Sequence, residues 1–233
     1  RRAPEMSEEE ELLAIEEHNA KRSNRLLFSM GSIGRMNIAV QNFFLPAFLL
    51  QRVKMDPTLV GIVMTMKKVW DAVTDPLIGR YSDQMQTPLG RRKPLVVLSS
   101  IPLTLYWLLM FLNQPVAPMW KFLYFLFVLL TYGNFHTLQV VPYRAMIPEV
   151  AATYNSRSSL AAYMHGIGMV AVAVGVTLMG YLTEHFEDGY FFGALLVAPG
   201  ILLPRMVAVM AVRERPAVPY SGEKEEGGRR GTG

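Results

Sequence analysis

Two carboxylates four residues apart interrupt an otherwise apolar part of the sequence. The stretch WDAVTDPLIG (70–79) contains Asp71 and Asp75, and a proline directly follows the second acid. Side chains four residues apart lie on one face of an α-helix, with about 6 Å between their Cβ atoms. In a medium of low dielectric, two carboxylates cannot both remain charged without a partner. That partner could be a proton, a lysine or a hard cation such as Na⁺, which favours oxygen ligands.

Two interpretations of this stretch remain open at the level of the residues. Thr74 lies between the two acids, and Lys68 lies three residues before Asp71, close to the same helical face. The acids could form a cation site, or Lys68 and Asp71 could form a structural ion pair with Asp75 near the membrane surface. Ionisable residues inside a membrane span usually mark an ion or substrate path.

Other charged side chains within apolar stretches give weaker signals. Arg35 follows the sequence GSIG and could project into a cavity or neutralise an acid, and His165 begins a further apolar run. Arg205 follows Pro204, and we expect it to extend its charged end towards the membrane surface.

Six apolar stretches must position these residues. A membrane-spanning helix needs about 20 mostly apolar residues. We predict an all-α membrane protein, a bundle of six transmembrane helices, because so many apolar runs are hard to bury in a soluble chain of 233 residues. The predicted spans are roughly 26–50, 57–82, 94–113, 119–141, 160–183 and 190–212.

Polar tails flank the predicted bundle, and the positive charges predict its orientation. We expect a polar N-terminal tail (1–24), a transmembrane domain (25–212) and a charged segment rich in proline and glycine (213–233), which is either a cytoplasmic tail or the start of a central loop. Lysine and arginine cluster in alternate links, which predicts an integral, multi-pass membrane protein with both termini in the cytoplasm. The acidic first twenty residues do not resemble a cleavable signal peptide.

Composition argues against several classes of function. The sequence has no cysteine, no phosphate-binding loop and no nucleophile–base arrangement, so we expect neither an enzyme nor a bound cofactor. The net charge of +4 comes with basic residues in short links, which indicates membrane orientation rather than binding to nucleic acid.

Two long motifs resemble a known transporter family. WDAVTDPLIG, with the following RYSDQMQTPLGRRKP (80–94), resembles the second helix and next loop of the major facilitator superfamily. Within it the chain is most similar to the glycoside–pentoside–hexuronide:cation symporters. VPYRAMIPEVAATYNSRSSLAAY (141–163) resembles that family's sequence after its fourth helix, and GSIGRMN (31–37) resembles the start of its first. The resemblance implies one six-helix half of a major facilitator fold.

The resemblance also implies roles for individual residues. The family's cation ligands match Asp71, Thr74, Asp75 and Thr137, with Na⁺ or H⁺ as the coupling cation. Met36 and Val140 occupy the positions at which the family has sugar-contacting acids, and His165 occupies the position of a family arginine. Apolar side chains therefore replace the two acids that would form hydrogen bonds with a sugar. The substrate-cavity candidates are Arg35, Met36, Lys68, Val140 and His165. The candidates for a conformational-gating loop are Asp83, Gly90, Arg91, Arg92 and Lys93.

These observations together predict a cation-coupled secondary transporter. We expect symport of a small organic solute, with a sugar or glycoside first, through a cavity shared with a second six-helix half. The expected partners are therefore the lipid bilayer, the solute and that C-terminal half. One alternative is a symporter of lysolipids or other amphiphiles, which Met36 and Val140 would tolerate. Another alternative is a truncated membrane scaffold or regulatory paralogue that does not transport.

Overall fold

Helices account for all the regular structure that the computed structural model describes. The described residues are 8–85, 90, 92–112 and 117–214, without the side chains of Glu8, Glu9, Glu11 and Asp83. These ranges contain no strand, which confirms the predicted all-α fold. The helices are α1 (Glu8–Ala20), α2 (Arg22–Met30), α3 (Arg35–Gln51), α4 (Pro57–Gln84), α5 (Lys93–Met110), α6 (Pro118–Ala145), α7 (Ile147–Val150), α8 (Tyr154–His185) and α9 (Gly189–Met210).

Local sequence signals explain where several helices begin. A proline in the first turn opens α4, α5 and α6, where its missing N–H has no intrahelical partner to lose. The Asp56 side chain also accepts a hydrogen bond from the backbone N–H of Thr58, at 2.8 Å. At the start of α8, Thr153 and Ser156 form a reciprocal capping box.

Each of the six predicted spans is helical, although they differ in composition. Four segments have the length and hydropathy of a membrane span: α5, α6 continued through α7, α8 and α9. The helix α4 has 28 residues but carries the charged side chains discussed above. The first span is divided, because the turn Gly31–Gly34 adopts a 3-10 conformation between α2 and α3. Prolines inside α3, α4, α5, α6 and α9 fit a membrane bundle, where neighbouring helices satisfy freed backbone groups.

The main core lies where α3, α5, α6 and α9 meet. Phe48 of α3 packs against Phe111 and Tyr190, with ring centroids 5.6 and 5.2 Å apart. Trp107 of α5 is fully buried and donates an indole hydrogen bond to the Ala194 carbonyl of α9, at 2.9 Å. The helix α4 packs mainly on α6, and α3 packs on α8 and α9.

The end of the bundle that carries α1, here called the tail end, has a second core. Its largest residues include Phe28, Tyr143, Met146 and Leu160. The helix α1 lies within the predicted polar tail, yet its residue Asn19 is only 1% exposed. The Asn19 amide donates to the carbonyls of Glu149 and Arg213, at 3.2 and 2.9 Å, and accepts from the Arg213 N–H at 3.0 Å. One side chain therefore connects α1, α7 and the segment that follows α9.

We predict that Asn19→Ala destabilises the protein by about 2 kcal/mol, because a buried side chain and its three part-buried hydrogen bonds to the backbone are lost. Thermal unfolding of the full-length protein in detergent measures the effect. The control is Asn155→Ala at an exposed position of the same end, which should change stability by less than about 0.5 kcal/mol. Equal effects of the two substitutions would contradict the role assigned to Asn19.

Candidate functional site

Three residue pairs align α4 with α6 in one register. A Cβ atom at Gly133 would lie 2.6 Å from Asp71 Oδ1, and Thr137 donates a hydrogen bond to Asp75 Oδ1 at 2.7 Å. One turn further on, a Cβ atom at Gly79 would lie 3.8 Å from Val141. Both members of each pair advance by four residues, so the two helices run parallel. The absence of a side chain at Gly133 allows the Asp71 carboxylate to approach the α6 backbone.

The Asp71 carboxylate has two oxygens in different surroundings. Its Oδ2 accepts an ion-paired hydrogen bond from Lys67 Nζ at 2.6 Å. Its Oδ1 is buried, and no described group donates a hydrogen bond to it. The alternative considered from sequence paired Asp71 with Lys68. The structure instead pairs it with Lys67, and Lys68 is exposed.

The second carboxylate is held by α6 and remains open on its other side. Asp75 is exposed, whereas Thr137, which donates to it, is buried. The hydroxyl of Thr74 donates back to the carbonyl of Trp70 at 3.0 Å, so its oxygen lone pairs remain free to coordinate. Next to Asp71 in the sequence, Trp70 Nε1 donates a hydrogen bond to Asn134 Oδ1 at 2.8 Å, which links α4 to α6.

The charges and donor atoms of this site define what it can bind. Two carboxylates and the Lys67 ammonium leave one net negative charge, which one monovalent cation or one proton would neutralise. Carboxylate and hydroxyl oxygens suit a hard cation. Within the described part of the chain, no cluster of three or more His, Cys, Asp or Glu side chains offers a transition-metal site.

A buried polar network lies behind these residues, and sequence reasoning missed it. Arg205 is 3% exposed and donates to Gln139 Oε1, and Gln139 Nε2 donates to Ser100 Oγ at 2.7 Å. The network links α9, α6 and α5. The expectation that Arg205 reaches the membrane surface is therefore wrong, because α9 turns this side chain into the bundle. Nearby, Asn37 donates to the Tyr132 hydroxyl at 3.0 Å. Each of these polar residues stands alone in a different apolar helix, so no pattern in the sequence predicts that they contact one another.

The substrate-cavity candidates occupy different places. Arg35 Nη1 lies 3.3 Å from His165 Nδ1, and the Arg35 stem packs against Gly168 of α8. Val140 is buried in the bundle, and Lys68 is exposed on α4. Met36 is buried against Gly175 and also contributes to an open apolar groove of about 510 Å³ between α3 and α8. The groove is lined by Ile33, Met36, Gly166, Ile167, Val170, Ala171 and Val174.

The predicted gating loop is tied to two acids that the sequence did not single out. Arg92 forms an ion pair with Glu149 at 2.6 Å and donates to the Ala145 carbonyl at 2.9 Å. The Glu214 carboxylate accepts from the backbone N–H groups of Arg92 and Lys93, the latter at 2.8 Å, and so caps the start of α5. Gly90 has a φ of +110°, which favours glycine. The predicted residue Arg91 and the side chain of Asp83 lie outside the described residues.

Comparison with known proteins identifies sequences similar to this chain. A family model described as "MFS/sugar transport protein" matches residues 27–232. The chain is 31% identical over 144 residues to the sodium-dependent lysophosphatidylcholine symporter 1-A of Danio rerio, covering 60% of this chain and 26% of that protein. It is 25% identical over 196 residues to an Escherichia coli K12 protein whose name assigns it to sulfoquinovose import, covering 82% of this chain and 42% of that protein. The chain thus spans less than half the length of these relatives.

We predict that Gly133→Ala destabilises the protein by about 1 to 3 kcal/mol, because the added methyl group would overlap Asp71 Oδ1 and force the helices apart. Gly61→Ala is a matched control, since a Cβ atom at this helical position of α4 meets no atom within 4 Å. The control should be neutral or stabilising by up to about 1 kcal/mol. Chemical or thermal unfolding compares the two, and a neutral Gly133→Ala would contradict the close contact.

Proposed function

Because the chain belongs to the MFS/sugar transport protein family, we propose that it forms one six-helix half of a cation-coupled secondary transporter. In this proposal the bundle lies in a lipid bilayer and pairs with a second six-helix half, and a small organic solute binds between the halves. Transporters built from such repeats alternate their access by moving one half against the other around a site near the membrane midplane.

The observation that carries the proposal is the arrangement of α4 and α6. Asp71 and Asp75 lie on one face of α4, and Thr137 holds the second carboxylate at 2.7 Å. We assign Asp71, Thr74, Asp75 and Thr137 as ligands of the coupling cation, which is Na⁺ or H⁺. Several relatives are named as sodium-dependent symporters, which favours Na⁺.

Coupling follows if cation and solute bind in one cavity. A cation that neutralises the acidic pair removes the cost of an unbalanced charge beside the solute, so each ligand tightens binding of the other. The loop contacts of Arg92 with Glu149 and of Glu214 with the start of α5 would stabilise one conformation of the transport cycle.

An apolar solute group fits the α3–α8 groove better than a bare sugar does. A sugar needs hydrogen-bonding partners for its hydroxyl groups, and the described lining of the groove supplies only apolar side chains and glycine. Arg35 and His165 lie next in sequence to lining residues and offer a polar contact. Among solutes we therefore favour an amphiphile with a polar head and an apolar chain, with a sugar or glycoside as the second candidate.

We predict that Asp71→Asn combined with Asp75→Asn abolishes cation-dependent stabilisation of the full-length protein. A cation at 100 times its dissociation constant stabilises the wild type by about 2.7 kcal/mol, and this gain disappears with its ligands. Unfolding temperature is measured in detergent across series of Na⁺, Li⁺, K⁺ and pH. A response to pH alone that the double variant loses would indicate coupling to H⁺.

The matched control for that experiment is Glu184→Gln combined with Glu187→Gln. These exposed acids lie at the end of the bundle opposite to α1, and the control makes the same change in charge. It should keep the cation response of the wild type. A response that survives in the Asp71 and Asp75 double variant would refute the assigned cation site.

We predict that Val170→Trp weakens binding of lysophosphatidylcholine about tenfold, because the indole fills the α3–α8 groove and costs about 1.4 kcal/mol. Binding is measured in nanodiscs with the full-length protein. Val69→Trp, at an exposed position of α4, is the control and should bind as the wild type does. If a glycoside binds and lysophosphatidylcholine does not, the sugar candidate replaces the amphiphile.

A further inference from the structure

Lys67 forms its ion pair with the more accessible carboxylate oxygen of Asp71, which is one of the proposed cation ligands. Asp71 Oδ1 is buried against Gly133, so an incoming ion can approach the carboxylate only at Oδ2. Lys67 Nζ lies 2.6 Å from that oxygen. The ammonium group and an incoming metal cation therefore compete for this oxygen, because two positive charges held so close together repel each other.

The pair contributes little to the stability of α4 itself. Lysine precedes the acid by four residues, which is the less favourable order for an ion pair along a helix. The Lys67 and Asp71 side chains are 17% and 28% exposed, so the pair is neither free in solvent nor sealed inside the core. An ion pair that only stabilised the helix would not need the lysine before the acid or a partly exposed site. An ion pair that exchanges with a cation does need partial exposure, so that the cation can reach the carboxylate.

The lysine side chain can also leave the carboxylate. Its charge is carried on a flexible chain of four carbon atoms, and its ammonium has no fixed fork geometry. Without Lys67, the two carboxylates would lie one helical turn apart, and Asp71 would lose its ion-pair partner. With it, the ion-free site carries one negative charge instead of two.

We propose that Lys67 is a tethered competitor of the coupling cation, holding Asp71 Oδ2 in the ion-free state and leaving it when the cation binds; this inference rests on the proposed function. Lys67 then sets the cation affinity of the site. It also lowers the energy of the empty carrier, which must change conformation without a bound cation.

The test compares half-saturating cation concentrations in the full-length protein at fixed osmolarity. The cation is whichever of Na⁺, Li⁺ or H⁺ stabilises the wild type, and the readout is the unfolding temperature. Lys67→Met should lower the half-saturating concentration about fivefold or more, the factor equivalent to about 1 kcal/mol for a partly exposed ion pair. Lys67→Gln provides the same test if the methionine variant does not fold.

Two control variants separate charge at this position from charge nearby. Lys67→Arg keeps a competing positive charge, so its half-saturating concentration should not fall below that of the wild type, in contrast to Lys67→Met. Arg80→Met removes a positive charge from an exposed position of the same helix and should leave the value unchanged.

The outcomes distinguish competition by Lys67 from the existence of the cation site. If the wild type responds to a cation, Asp71→Asn does not, and Lys67→Met matches the wild type, then Lys67 does not compete and the cation site stands. Weaker binding by Lys67→Met would also overturn the inference, because Lys67 would then help to form the site. If neither the wild type nor Lys67→Met responds to any cation, the cation site itself is refuted and the inference falls with it.

Discussion

Asp71 and Asp75 lie on a helix with large exposed apolar residues, and ionisable side chains within a membrane span are costly unless they are paired. Several contacts around the two acids reduce this cost. Gly133 lacks the side chain that would exclude Asp71, Thr137 donates to Asp75, and Lys67 supplies a positive charge. The parallel contact of α4 with α6 therefore has an electrostatic cause as well as a packing cause. A site neutralised only in part is also a site that can accept one more positive charge.

The rest of the bundle gives this helix pair a firm support. The hydrogen bonds of Arg205, Gln139 and Ser100 tie α9, α6 and α5 together in the interior, where each polar group depends on its partner. At the tail end, Asn19 and the Arg92–Glu149 pair join α1, α5 and α7. Contacts at both ends of the bundle favour movement of the described helices as one body, which the proposed alternating access would require.

Much of the fold could be predicted from the amino-acid sequence because apolar length has a direct physical meaning. A run of about 20 apolar residues satisfies its backbone only as a helix in a membrane, so helices were expected in each of the six spans. The spacing of Asp71 and Asp75 placed both acids on one face for a similar reason, since helical geometry is local. A proline in the first turn of α4, α5 and α6 is a further local signal of where these helices begin.

Contacts between distant residues were decided by the tertiary structure alone. Within α4 itself, the expected ion-pair partner of Asp71 was Lys68, whereas the structure pairs it with Lys67, one helical turn before the acid. Arg205 was expected at the membrane surface, yet α9 directs it to Gln139. Nothing in the separate stretches links Glu149 or Glu214 to Arg92. The sequence determined the helices and which residues share a face, because those depend on neighbours in the chain. Helix rotation and depth decided the partners, because they depend on packing across the whole bundle.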